Sequence, residues 1–380
     1  MFQKYTMPVT IKVVSSKSDL KKFIYYPLQL HKGHKNWVPP IFSEEFAFYD
    51  PSKNKSLVTN EHIMALAYEN NRIIGRIMGI INKHYNEIYN LKDARFFAIE
   101  CINDQNVMHE LIEFVKNWAL SKGMTRLVGP YGFSDKDPQG FMIEGFEHLP
   151  LIATNFNFPY MVQLLENEGF TKEIDCLSYK MMIPDTIPVL YEQILQRTLK
   201  NHSLKLLEFK HKGDMKRYIV PVFRLVNEAY SPIYGFVPLD EQEMKEMAEK
   251  YFMILDREFV KVVIDENNDV AAFIVAIPNM SKGIIKAKGK LFPFGFIHIL
   301  KAARNTDQLD LFLGAVKDKY RHLGLDAMLG KSVFESAHKR KLRIIDSHLI
   351  LENNNLMKAE IEKLGGIVYK RYRVYQKSIS

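Results

Sequence analysis

The chain has 380 residues, too many for one core of usual size and enough for two domains of about 190. With 47% hydrophobic and 25% charged residues it has the composition of a folded globular protein, which excludes a disordered chain. A net charge of +8 and a pI near 9.1 favour anionic partners in general: a coenzyme, a carrier protein, nucleic acid or a membrane surface.

The opening stretch MFQKYTMPVTIKVV lacks a continuous apolar run with a small-residue cleavage site. The longest apolar run, Ala271 to Ile277, is far too short to span a bilayer. The chain therefore reads as soluble and cytoplasmic, without a transmembrane segment. Cys101 and Cys176 lie inside apolar strand-like runs and read as buried thiols rather than a disulfide or a metal site.

Taken in order, the pattern predicts a strand from Thr10 to Val14 and a helix from about Ser18 to His34, stopped by Asn36-Trp-Val-Pro-Pro40. Ser43 to Ser56, rich in aromatics and carboxylates, reads as irregular structure that could fold over a cleft. A hairpin follows, with strands Met64 to Tyr68 and Arg72 to Asn82 about Asn70-Asn71. Next come a strand near Phe96 to Cys101, a helix from Val107 to Lys122 and a strand from Arg126 to Val128. The following loop to Pro159 gathers Asp135, Asp137, Glu144 and Glu147 among glycines, a composition that suits a site lining or a surface loop. A helix, Met161 to Glu168, and a strand, Cys176 to Met182, complete a first array.

The order then repeats. Asp19-Leu-Lys-Lys-Phe-Ile24 recurs as Asp214-Met-Lys-Arg-Tyr-Ile219, and Glu69-Asn-Asn71 as Glu266-Asn-Asn268. Leu164 to Phe170 parallels Glu360 to Gly366, and Ser178-Tyr179-Lys180 parallels Val374-Tyr375-Gln376. Four landmarks in one order at nearly constant spacing indicate two copies of one fold. The expected divisions are residues 1–184, a linker helix at 185–203 and residues 204–380. In the second copy the predicted helices are Met215 to Tyr230 and Asp240 to Tyr251, and the hairpin is Phe259 to Ile277. A central strand, Leu309 to Val316, leads into a helix from Leu323 to Arg340, with Leu325, Met328, Leu329, Phe334 and Ala337 on one face. The alternation of strands and helices is that of an α/β fold.

The corner between that strand and that helix reads Arg321-His322-Leu323-Gly324-Leu325-Asp326. A basic loop with a glycine, opening a helix, collects unpaired backbone N–H groups and the positive end of a helix dipole, a place suited to phosphate oxygens. This corner resembles the pyrophosphate loop of the GCN5-related N-acetyltransferase (GNAT) superfamily, which carries Arg or Gln, two residues, Gly, one residue, then Gly or Ala. Arg321 and Gly324 match; Asp326 stands where the family has a very small residue. As a whole the chain resembles the bacterial proteins with two tandem GNAT-like domains.

The resemblance implies mixed, mostly antiparallel sheets flanked by helices and an acyl-CoA-dependent N-acyltransferase, most simply an N-acetyltransferase using acetyl-CoA or another acyl-CoA on a small-molecule amine. It implies that Arg321 to Asp326 hold the coenzyme pyrophosphate and that Ala315, Val316 and Lys317 pair with its pantetheine arm. Asn354 would contact that arm or cap the helix after it. The family's usual acid, a tyrosine four residues before the glycine ending the last helix, is Ile361 here and Leu165 in the first copy. Glu352, at the end of a central strand, is the candidate base. After its own strand the first copy offers Cys101 to Val107, with no basic residue or glycine, so the coenzyme is assigned to the second copy.

From Val270 to Thr306 there is no acidic residue, while Lys282, Lys286, Lys288, Lys290, Lys301 and Arg304 flank Leu291-Phe-Pro-Phe-Gly-Phe-Ile297. Such a basic insertion with an aromatic floor suits an acyl carrier protein, long acyl chains or a membrane surface, or is a solvated basic loop. Nucleic acid is disfavoured, since no recognisable module accompanies the charge. The competing reading is a protein that kept the fold, lost turnover and binds a ligand or partner.

Overall fold

The computed structural model describes residues 8–379 apart from 187–188, 190–191, 194–197 and 199–203. The expected linker helix at 185–203 falls mostly outside the described residues.

The first array begins with β1 (Thr10–Val13) and α1 (Lys17–Leu30). The helix starts earlier than the sequence pattern suggests, because Ser16 Oγ accepts the Asp19 N–H at 3.1 Å and caps it. The stretch expected to be irregular instead forms two short helices, α2 (Phe42–Phe48) and α3 (Ser56–Thr59), with Phe42, Tyr49 and Leu57 buried. Glu44 and Glu45 in the first turn of α2 complement its dipole.

The hairpin of β2 (Glu61–Glu69) and β3 (Arg72–Ile81) turns on Asn70 and Asn71, both left-handed at φ 49° and 63°. Then come α4 (Lys83–Tyr89), β4 (Asp93–Cys101), α5 (Gln105–Ser121) and β5 (Arg126–Gly129). Helix α5 covers the sheet with Val107, Met108, Leu111, Ile112, Val115 and Ala119, spaced for one helix face and all buried. β6 (Phe141–Glu144), α6 (Tyr160–Asn167) and β7 (Thr171–Met182) follow. Three of the four acids of the long loop are committed: Asp137 accepts the Phe133 and Ser134 amides, Asp135 pairs with Lys136, and Glu144 pairs with Arg371.

The second array repeats the order from β8 (Lys205–Leu207). The helix expected over 215–230 divides into a 3-10 turn, Lys212–Tyr218, and α7 (Ile219–Tyr230). Pro221 explains the division, since proline is tolerated in a first turn and not inside a helix. After α8 (Glu241–Phe252) come β9 (Val260–Ile264), β10 (Val270–Pro278), α9 (Ser281–Ala287) and α10 (Gly295–Asn305). The remaining elements are β11 (Gln308–Val316), α11 (Leu325–Lys339), β12 (Ile344–Ser347), β13 (Ile350–Leu351), α12 (Asn355–Lys363) and β14 (Ile367–Ser378). All five apolar positions expected to face the sheet from α11 are buried. Helix α9 takes the place of α4, each ending on a left-handed residue, Lys288 and Asn90, so that α10 is the element added in the second copy.

Two compact units result, and they interleave along the chain instead of dividing at 184 and 204. One comprises the chain up to Leu177, Met280–Ala302 and the chain from Tyr369; the other comprises Ser178–Asn279 and Ala303–Val368. In the first unit β1, β2, β3 and β4 are antiparallel neighbours, β4 runs parallel to β5, and β14 closes the sheet antiparallel to β5 and β6. In the second, β8, β9, β10 and β11 are antiparallel neighbours, β11 runs parallel to β12, and the end of β7 pairs with β12. The first copy therefore gives the end of its last strand, and the second copy nearly all of its last strand, to the other unit's sheet. No described helix is long and apolar enough to cross a membrane.

Removing residues from Tyr369 onward takes buried Tyr372, Val374 and Tyr375 and the Arg373–Asp175 ion pair out of the first unit. Each of those apolar side chains contributes about 1.5 to 3 kcal/mol by burial. The truncated chain is expected to lose the cooperative unfolding of its first unit, and separate chains 1–184 and 204–380 to be unfolded alone; circular dichroism melts of each check this.

Candidate functional site

In the second unit β11 and β12 run parallel for four rungs, from Gln308 beside Ile344 to Leu311 beside Ser347, and then part. β12 ends while β11 continues beside β10 alone, with a bulge where Val275 faces Leu313 and Ala276 faces Leu311, leaving Phe312 extra. His348 leaves the end of β12 with its N–H on Leu311 C=O at 3.0 Å and its ring edge-on to Phe312.

The far stretch of β11 therefore has a side without a strand partner. Lys317 does not present its N–H there, because it donates to Ala271 C=O at 2.8 Å. By strand alternation Ala315 turns the same way, whereas Gly314 and Val316 face the open side. The Tyr230 hydroxyl occupies part of that side, accepting from Gly314 N–H at 3.3 Å and lying 3.1 Å from its C=O. Of the three positions expected at this edge, only Val316 offers its backbone.

The basic corner follows as expected from the pattern. A 3-10 turn, Asp318–Tyr320, leads into Arg321, whose guanidinium pairs with Asp318 at 2.9 Å and is exposed. Asp265, in the β9–β10 turn, anchors this turn by accepting from Tyr320 Oη at 2.8 Å and Lys319 Nζ at 3.3 Å. Its other oxygen takes the Asn267 and Asp269 amides. Burial alone would raise the Asp265 pKa, but these hydrogen bonds hold it below the ordinary carboxylate range.

His322 and Gly324 are both left-handed, at φ 64° and 84°. For a histidine that conformation costs on the order of 1 kcal/mol. Gly324 is the N-cap of α11, and no side chain caps the helix. The first-turn amides, which begin at buried Leu325, therefore have no side-chain cap. Asp326 is exposed and does not fold back to plug them. It acts instead on Glu360 of α12, whose pKa is raised by burial and by the Asp326 charge, against the opposing pull of Lys363 and His322. Leu323 is half-buried between these groups.

Asn354 is committed to capping: its Oδ1 accepts the Met357 N–H at 3.3 Å at the start of α12. Glu352 lies half-buried in the turn before it, with its backbone C=O accepting from Lys358 Nζ at 2.8 Å. Ile361 is buried, so the position of the family's tyrosine is filled by packing. In the first unit the corresponding helix start is closed by a side chain, Asp104 Oδ1 accepting the Asn106 N–H at 2.9 Å.

The first unit holds a polar cluster that the sequence pattern did not single out. Where β3 and β4 bulge, Arg76 faces Glu100, and the guanidinium donates to the Glu100 carboxylate at 2.9 Å. His31 Nε2 lies 3.1 Å from the other Glu100 oxygen, and His31 Nδ1 is 2.9 Å from His34 Nδ1. With Nε2–H given to Glu100, a neutral His31 accepts at Nδ1 and His34 donates. The His31 ring stacks between Trp37 and Phe158, at 4.7 and 4.9 Å. Beside them the Tyr26 hydroxyl is buried without a hydrogen-bond partner. Burial lowers the His34 pKa, with His31 adding to the effect. Burial acts to raise that of Glu100, yet the Arg76 charge and the His31 hydrogen bond bring it below the ordinary range. The chain of groups can take up a proton at half-buried His34 and orient it through His31 and Glu100. Its signal in the sequence was Arg76 and Glu100 within largely apolar strands.

No family profile matches the chain. Among curated proteins it is 26% identical over 381 residues to "Protein YghO" of Escherichia coli (strain K12), covering 97% of this chain and 95% of that one. It is 26% identical over 388 residues to "Bacterial ceramide synthase" of Caulobacter vibrioides, covering all of both chains. Among solved structures, a tandem GNAT protein from the clavulanic acid biosynthesis pathway aligns with a TM-score of 0.56 over 98% of this chain and 99% of that one, at 11% identity. The chain has a tandem GNAT fold. A GCN5-related N-acetyltransferase from Sphaerobacter thermophilus aligns similarly, with a TM-score of 0.53 over 98% and 97% at 10% identity. The parted parallel strands, the bulged central strand and the helix opening at the corner are thus features of a GNAT fold present twice.

Replacing Arg76 by Met leaves Glu100 buried without its strongest partner and is expected to destabilise the first unit by about 3 to 5 kcal/mol. Because the Glu100 pKa is depressed in the folded state, its contribution is full above the ordinary glutamate range and lost as pH falls through the folded value. Urea titrations should show a wild-type stability that declines on acidification and a Met variant that declines less.

Proposed function

We propose that the protein is an acyl-CoA-dependent N-acyltransferase whose second unit binds the coenzyme. The observation that carries this reading is the start of α11 at Gly324, which no side chain caps and which exposed Arg321 and His322 immediately precede. Arg321, His322, Leu323, Gly324, Leu325 and Asp326 would surround the diphosphate. The open side of β11 at Val316 would receive the pantetheine arm, and Asn354 would lie at the start of the neighbouring helix.

An amine attacks the thioester carbonyl, the C–N bond forms, the C–S bond breaks, and coenzyme A leaves with the proton it needs as a thiol. A base removes the ammonium proton of the acceptor. Glu352 is the proposed base in the second unit. Acetyl-CoA and longer acyl-CoAs both fit the chemistry. A ceramide is an amide of a long-chain amino alcohol, so the name of the Caulobacter relative favours a lipid amine and a long acyl donor over a small polar amine.

A second reading is a GNAT-fold binder without turnover, favoured by Ile361 in the tyrosine's place and by the Asp326 carboxylate at the corner. Calorimetry with coenzyme A and thiol release from acyl-CoAs with an amine panel separate the two. Arg321→Ala should weaken coenzyme binding about threefold to tenfold, whereas Asp326→Ala should strengthen it by a similar factor by removing like charge. Loss of thiol release with binding intact in Glu352→Gln identifies the base. Heat of binding without thiol release from any pair would support the binder.

A further inference from the structure

We propose that the α9–α10 hairpin is a docking surface for an anionic phospholipid bilayer. Up to Ala302 the hairpin belongs to the first unit, and it is firmly set. A Cβ on Gly283 would meet His298 O and Ile299 Cα at 2.6 Å, so the two helices touch through their backbones. Ile284 and Ile299 are buried beneath, and Gly289 C=O accepts the Phe42 N–H at 2.9 Å.

What this rigid base holds outward is apolar. Phe292 is 79% exposed and Phe294 68%, and Phe296, Ile297 and Leu300 are exposed as well. On α10 the helical spacing places Ile297 and Leu300 together with Lys301 and Arg304 on the face away from buried Ile299, with Phe296 at its edge. An exposed, contiguous group of large apolar side chains marks an interaction surface and not ordinary exposure.

The charge around it selects the occupant. Lys282, Lys286, Lys288, Lys290, Lys301 and Arg304 are all exposed, and among the described residues none of them forms an ion pair. No Asp or Glu occurs between Val270 and Thr306. A second copy of this chain would bring cations against cations. An acidic carrier protein would match the charge but would leave five large apolar side chains facing a polar partner. A bilayer of anionic lipid satisfies both: phenyl and aliphatic groups enter the acyl boundary while lysines stay at the headgroups. Docking stands independently of acyl transfer; only its corollary, that the acceptor amine is drawn from the bilayer, rests on that reading.

The test is flotation of the full chain with phosphatidylcholine vesicles with and without phosphatidylglycerol. The wild type should float with the anionic vesicles, salt should release it, and it should not float with phosphatidylcholine alone. The variant Phe292→Ser/Phe294→Ser/Phe296→Ser, changed only at exposed positions, should retain its melt and lose vesicle affinity by about tenfold or more. Lys288→Glu/Lys290→Glu/Lys301→Glu should lose binding at low salt to a similar degree. Equal flotation of wild type and both variants would overturn the proposal. So would absence of flotation, including the case in which purified acyl carrier protein binds the wild type and neither variant.

Discussion

Both units depend on one constraint of strand geometry: a parallel pair at the centre of each sheet that stays together briefly and then parts. β4 and β5 pair over three rungs and β11 and β12 over four, and the strand that continues carries a bulge on its other side. A bulge bends and twists a strand, so the separation is built into the register and does not require a ligand to hold it open. It leaves backbone groups of the longer strand without a strand partner and directs the chain beyond it into a helix whose start faces the gap. The Arg76–Glu100–His31 cluster lies at such a bulge, and the Arg321 to Asp326 corner at the helix start beyond the other.

The same scaffold has been put to different use in the two copies. In the first, Asp104 closes the helix start, and the bulge accommodates an arginine, a glutamate and two histidines in an aromatic setting. In the second, a glycine takes the capping position and no side chain caps the helix. A side-chain oxygen at an N-cap satisfies the amides that an anion would otherwise use, so one residue decides between a closed and a receptive corner. The interleaving of the copies through their last strands makes each unit's sheet incomplete without residues from the far end of the repeat, which couples their folding.

Much of the fold was legible in the sequence because it rests on local rules. Asn70-Asn71 marked a hairpin turn, the apolar spacing from Leu325 to Ala337 marked a buried helix face, and four recurring landmarks marked the duplication. The exchange of last strands was not legible, since strand partners far apart in sequence leave no local trace. Nor was the His31–Glu100–Arg76 cluster, which forms only when a helix end meets two paired strands. At the corner itself the residues Arg321 to Asp326 were readable, but the roles of their neighbours were not. Whether Lys317 offers its amide depends on strand alternation about a bulge, and Tyr230 reaches Gly314 from a helix more than eighty residues earlier.

The central claim is that backbone amides at the start of α11 grip a diphosphate. Hydrogen exchange of the full chain with and without coenzyme A tests it directly, with the start of α5 as an internal control. The account predicts slowed exchange over residues 321–328 and no change over residues 102–108. Unchanged exchange at 321–328 with saturating coenzyme A, or protection confined to the α5 segment, would contradict it.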